Sequence, residues 1–199
     1  MNPRWQTILK EYSEALIIAL ILALIIRTFI IQAFKIPSGS MLETLQIGDR
    51  LFVTKFTYDI KVPFTGFSLF SPADPQHGDV VVFRYPQNPS KDFIKRVAGL
   101  PGDTVEVRGH VLFRNGQPVD EPHLVLHPGA TKMDFGPQTV PENMYFMLGD
   151  NRYNSHDSRF WGFVDRTQLR GQAWRIYWSA SPHWLFSNVR WDRFGKAIE

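Results

Sequence analysis

"ALIIALILALIIRTFIIQAFKIPSGSM" (15–41) contains the change of pattern on which the fold turns. From Ala15 to Ile26 no side chain is polar. Arg27 and Thr28 then interrupt, "FIIQAF" resumes, and the stretch closes on two serines around a glycine. A glycine between serines reads first as a loop. The twelve apolar residues read as helix, but twelve residues rise only about 18 Å, against a hydrocarbon core of about 30 Å. Counting from Ile8 to Ile31 restores the length, with Lys10, Glu11 and Glu14 at one headgroup layer and Arg27 snorkelling to the other. A cleaved leader would need an A-x-A-like site after the run, and none is present. An internal core helix would show a polar face. One amino-terminal transmembrane helix is therefore expected. Arg4 and Lys10 before the run and Arg27 and Lys35 after it leave its orientation open on charge alone.

Beyond residue 36 the pattern shifts to short runs of period two with turn residues between them. "GDVVVFRYP" (78–86) reads as a largely buried strand ended by proline, and "DTVEVRG" (103–109) alternates valine with polar residues. "VLFRNGQPV" (111–119) holds Asn115-Gly116, a hairpin-turn signal. "MYFMLGD" (144–150) and "QAWRIYWS" (172–179) read as further strands. No helical period of useful length follows the anchor. The fold class is thus mainly β, with antiparallel sheets, and "PHLVLHPGATKMDFGPQTVPEN" (122–143) reads as an excursion from the main sheet.

Composition narrows the function classes. In 199 residues, 44% are hydrophobic and 21% charged, the balance of a folded chain. The net charge of +3 is mild, and Lys and Arg are spread out, so no nucleic-acid partner is expected. The absence of cysteine removes disulfides, thiolate metal sites and a cysteine nucleophile.

A hydrolase would need a nucleophile, a base and an oxyanion site. Ser38 and Ser40 are candidate nucleophiles, with Gly39 allowing close backbone approach. His156 beside Asp157 suggests a triad, yet neighbouring side chains seldom point at each other, and a triad is a matter of geometry. Lys95 lies among Phe93, Ile94, Val97 and Leu100. Apolar surroundings disfavour the ammonium and lower a lysine's pKa, which makes it a usable base. Composition alone still favours a surface lysine on a strand.

Three blocks in order behind the anchor change that reading: "FKIPSGSMLETLQIGDRLFVTKFTY" (34–58), "DFIKRVAGLPGD" (92–103) and "GDNRYNSHDSRFWGFV" (149–164). Together they resemble the type I signal peptidases of bacteria, membrane-bound serine proteases with a Ser-Lys dyad. "YDIKVPFTG" (58–66) and the ending "VRWDRFGKAIE" (189–199) are similar too. The resemblance implies that Ser40 is the nucleophile and Lys95 its general base. It implies that Ser38 and the backbone N–H of Ser40 face the oxyanion, and that Ser155 hydrogen-bonds and orients the lysine. Asp157 and Arg159 would form a bracing pair, with Asp150 and Arg152 in the same support. Phe34, Ile36, Pro37, Phe93 and Ile94 would line pockets for small substrate side chains. No cofactor and no metal is implied.

The implied organisation is a cytoplasmic amino-terminus and anchor over 1–33 and an extracytoplasmic catalytic β domain over 34–199, with 104–143 as a small inserted cap. The implied location is the bacterial cytoplasmic membrane, single-pass, with the catalytic domain on the outer face. Its partners would be the signal peptides of secretory pre-proteins and membrane lipid, beside the protein export machinery. The chain departs from the family pattern at Glu43, commonly proline, and at Tyr153, often aspartate. Trp161, Trp174, Trp178, Trp184 and Trp191 crowd the last forty residues, either as core packing or as indoles at a membrane interface.

Overall fold

The computed structural model describes residues 3–58, 60–61, 68–70, 73–126, 133–181 and 187–199. Most of "YDIKVPFTG", part of the 122–143 excursion and Trp184 lie outside them. Helix α1 spans Pro3–Ile25 and continues as a π-helical turn, Ile26–Ile30. Its apolar side chains, among them Leu16, Ile17, Leu20, Ile21, Leu24 and Ile25, are exposed. No helix among the described residues is long and apolar enough to cross a membrane.

The helical segment ends earlier than the apolar run implies. Strand β1 (Ile31–Lys35) pairs antiparallel with β2 (Asp49–Thr54), from Ile31 opposite Thr54 to Lys35 opposite Arg50. Residues 31–33, counted with the anchor on hydropathy, therefore belong to the sheet. Hydropathy cannot separate the two states here, because a sheet strand and a helix both accept "FIIQAF".

β1 and β2 join β5 (Val80–Tyr85), β6 (Asn88–Gly99), β11 (Met144–Leu148), β12 (Val164–Asp165) and β13 (Leu169–Ser179) in a seven-stranded sheet. Its order is β1-β2-β13-β5-β6-β11-β12, and every pair is antiparallel. β5 is buried along its first four residues, as four consecutive apolar side chains require. β6 is exposed over its outer half and buried from Lys95 to Gly99.

A second, four-stranded sheet has the order β10-β7-β8-β9, from β7 (Thr104–Arg108), β8 (Val111–Arg114), β9 (Gln117–Pro118) and β10 (Phe135–Thr139). Asn115 and Gly116, with φ of 54° and 80°, form the β8–β9 turn, whose twist needs a positive φ at both positions. The short β3 (Ile60–Lys61) and β4 (Ser68–Phe70) pair with each other. After α1 the α-helix among the described residues is α2 (Ser158–Trp161), a single turn.

Three apolar clusters hold these sheets. Ile36, Met41 and Leu45 from the "IPSGS" loop pack with Leu51, Val53, Val80, Val82 and Ile176. Val81, Phe83, Val97 and Met147 centre a second cluster, and Val105, Val107, Leu112, Phe146 and Leu148 fasten the smaller sheet to the larger. The loop bearing Ser38 and Ser40 is thus anchored on both flanks by buried side chains. Trp174 and Trp191 are exposed, whereas Trp161 and Trp178 are half-buried.

Candidate active site

β6 carries Lys95 into the protein while the "IPSGS" loop folds back over it. Lys95 is 4% exposed and Ser40 8%. Lys95 Nζ donates to Ser40 Oγ at 2.7 Å and to the Ile94 carbonyl at 2.9 Å. The ammonium also lies 5.6 Å from the Phe93 ring centroid. Burial lowers the Lys95 pKa to about 8, against smaller raising effects of Asp157 and then Asp150. A lysine in this state can take a proton from a hydroxyl that touches it.

Alternation along β6 sends the next side chain, Arg96, to the other face. There it forms a two-pronged pair with Asp150, Nε to Oδ1 at 2.8 Å and Nη2 to Oδ2 at 2.7 Å. Asp150 also accepts from Thr44 Oγ1 at 2.6 Å. Arg152 does not share that carboxylate: it pairs with Glu121 at 2.7 Å and donates to the His110 carbonyl. Arg96 and Glu121 are supporting residues to which sequence reasoning gave no part. Arg96 was legible only as a basic residue beside Lys95, and nothing in the sequence near Glu121 marks its partner.

Asp157 and Arg159 pair through both carboxylate oxygens, at 2.8 and 2.9 Å. Asp157 further accepts from the backbone N–H of Gly149, and Arg159 donates to the carbonyl of Arg152. This fully engaged carboxylate does not meet His156. The His156 ring is exposed, 3.1 Å from the Tyr85 hydroxyl and 4.9 Å between centroids from Phe160. A triad through adjacent His156 and Asp157 is therefore absent from this geometry.

Ser155 is buried close to the Ser40 backbone, but the expected bond to Lys95 is not made. Its Oγ has no hydrogen-bond partner among the described residues. The ammonium already engages Ser40 and Ile94, and the Ser155 side chain sits in the space left by Gly149. A Cβ on Gly149 would fall 2.2 Å from Ser155 Oγ and 2.6 Å from the Ser40 carbonyl oxygen. Ser38 is exposed at the edge of the loop.

Of the proposed pocket residues, Ile36 is buried, and Phe34 and Ile94 pack against its cluster. Phe93 belongs to the neighbouring cluster, stacked on Tyr85 at 4.4 Å, and Pro37 is exposed. Tyr153, where the family pattern often has aspartate, contacts His110 instead, at 3.3 Å from Nδ1. Among the described residues no group of His, Cys, Asp and Glu side chains has the arrangement of a metal site.

A family model described as "Signal peptidase, peptidase S26" matches residues 9–178. A signal peptidase I of Leptolyngbya laminosa is 42% identical over 184 residues, covering 89% of this chain and 83% of its own. One of Pseudomonas fluorescens is 37% identical over 210 residues, covering 87% and 74%. A solved signal peptidase I of Enterococcus faecalis V583 is 37% identical, with 50% of this chain and 97% of its own aligned at a TM-score of 0.44.

Proposed function

The chain belongs to the signal peptidase family, peptidase S26, serine peptidases that act on the signal peptides of pre-proteins, and from that premise we propose that it cleaves them with a Ser40–Lys95 dyad. One observation carries the proposal. A buried lysine with a pKa near 8 touches the hydroxyl of the serine that the family pattern singles out.

In the proposed reaction Lys95 Nζ removes the Ser40 hydroxyl proton as Oγ bonds to the scissile carbonyl carbon. The negative charge moves to the carbonyl oxygen, where the Ser38 hydroxyl and the Ser40 N–H stabilise it. Collapse breaks the C–N bond, and the departing amine takes the proton from the Lys95 ammonium. Water then attacks the acyl carbon, giving a proton to Lys95; the ester C–Oγ bond breaks, and Ser40 Oγ takes that proton back from the Lys95 ammonium as the acid product leaves. Ser155 Oγ, buried and without a hydrogen-bond partner among the described residues, is available to hold the lysine when Ser40 bonds to substrate. Asp157 with Arg159, and Asp150 with Arg96, support the walls without adding a mobile charge; Arg152 does so through Glu121.

The substrate reading follows the same premise. Phe34, Ile36 and Ile94 pack together, and with Pro37 and Phe93 they are the residues to which the resemblance assigns the pockets; bulky apolar walls of this kind would admit only alanine-sized side chains one and three residues before the cut. The apolar surface of α1 calls for lipid as its cover. α1 alone falls short of a spanning helix, but with the π-helical turn after it the segment from Ile8 to Ile30 comes to about 30 Å, with Lys10, Glu11 and Glu14 at one boundary and Arg27 at the other. We place the chain in the bacterial cytoplasmic membrane, single-pass, with residues 34–199 on the outer face beside the export machinery. The deciding experiment is cleavage of a secretory precursor by detergent-solubilised wild type and Lys95→Ala side by side. A shortened product from wild type alone is expected. Equal cleavage by both would remove the dyad.

A further inference from the structure

Ser40 sits between two peptide planes, and both are tied to one residue. Asn151 Nδ2 donates to the Gly39 carbonyl at 3.0 Å, which also accepts the longer bond of the Leu42 N–H at 3.3 Å, and the Asn151 backbone N–H donates to the Ser40 carbonyl at 3.1 Å. Asn151 is 1% exposed. Its own place is fixed on the other side, where residue 151 bridges to Val125 and the Arg152 N–H donates to the Val125 carbonyl.

These two bonds have a directional consequence. A trans peptide is planar, with its C=O and N–H pointing opposite ways. The plane between Gly39 and Ser40 has its carbonyl held by the Asn151 amide, so the Ser40 N–H is aimed away from Asn151. Among the described residues that N–H donates to no backbone carbonyl. The plane after Ser40 is held through its carbonyl. With both planes fixed, φ and ψ of Ser40 are fixed, and so is the direction in which Cβ carries Oγ towards Lys95.

We propose that Asn151 is a positioning residue that sets, through the two peptide planes flanking Ser40, both the aim of the oxyanion N–H and the approach of the nucleophile. This rests on the assignment of Ser40 and Lys95 as the dyad. Nothing in the arrangement requires Asn151 to touch substrate. Its side-chain oxygen is buried and accepts from no group among the described residues, so the amide acts here through its donor. The Lys95 ammonium is held separately, by Ile94 O and Ser40 Oγ.

The test compares Asn151→Ala and Asn151→Leu with wild type, Ser40→Ala and Lys95→Ala, in the full chain, on one secretory precursor, well below each variant's Tm. Leucine fills the same space without a donor, so it keeps the question open if alanine fails to fold. Misaimed groups lose transition-state contacts, so kcat should fall about 10- to 100-fold while KM changes less than about threefold. The acid limb of the pH–rate profile should stay at its wild-type position, since the lysine's surroundings are kept. Wild-type kcat in both variants, or a loss confined to KM, overturns the proposal with the dyad intact. Activity in Ser40→Ala or Lys95→Ala overturns the dyad, and the positioning role goes with it.

Discussion

Lys95 Nζ lies 2.7 Å from Ser40 Oγ, although the two residues are 55 positions apart in the chain. The contact joins a loop whose apolar residues Ile36, Met41 and Leu45 are buried to a strand whose inner half is buried. A group held on both sides in this way costs little further ordering when substrate arrives.

Ser40→Ala and Lys95→Ala should each reduce precursor cleavage by at least about 10³-fold, and the double variant should be little worse, because nucleophile and base act as a unit. Ser38→Ala keeps the dyad and removes one oxyanion donor, for a loss in kcat of about 10²–10³. Single-turnover cleavage with far-ultraviolet circular dichroism separates lost chemistry from lost fold.

The pH profile of kcat/KM should show an acid limb near pH 8, where Lys95 loses its proton. Asp157 is the larger of the two charges that raise this pKa, so Asp157→Asn should move the limb to lower pH. The same change strips the buried Arg159 of its ionic partner and should cost about 3–5 kcal/mol of stability. A limb near 6.5 that vanishes in His156→Ala would show that a histidine is the base.

Stability should report on the same group. The folded pKa of Lys95, about 8, lies below its ordinary value of 10.5, so the unfolded chain binds more protons between these limits. Stability attributable to Lys95 is therefore present above pH 10.5 and lost as pH falls through 8. The loss across this window corresponds to about 3 kcal/mol. Urea titrations of wild type and Lys95→Met should diverge across this window, with the methionine variant lacking the slope. Parallel curves would contradict a desolvated lysine.

Gly149→Ala should damage fold and activity together. The new methyl would meet Ser155 Oγ at 2.2 Å and the Ser40 carbonyl at 2.6 Å, and a backbone oxygen cannot swing aside. Overpacking of this kind costs about 1–3 kcal/mol, and here it also displaces the nucleophile loop. Thermal melts together with cleavage rates check both effects, and a fully active, fully stable variant would be incompatible with this packing.

Topology has its own test. Protease added to intact spheroplasts should degrade residues 36–199, because signal peptides are cut on the exit side of the membrane. Protection of that segment would refute the outward placement.

Local chemistry was enough for several parts of this protein. Unbroken hydrocarbon from Ala15 to Ile26 determines a helix with apolar flanks, and period-two runs with Asn115-Gly116 between two of them determine a hairpin. Each signal is carried by residues within a turn or a strand of one another. The three blocks also named Ser40, Lys95, Asp157 and Arg159 as a set, through resemblance and not through any force between them visible in the string. Tertiary structure alone decided who meets whom. The fold hands Asp150 to Arg96 and leaves Arg152 to Glu121, whereas the pair of Asp157 with Arg159, two residues on, is the one the resemblance implied. Asn151 acquires its hold on Gly39 and Ser40 from 112 positions away. Such pairings follow from chain closure and burial, where a charged or polar group must satisfy itself with whatever the fold brings within 3 Å. No local pattern encodes that choice.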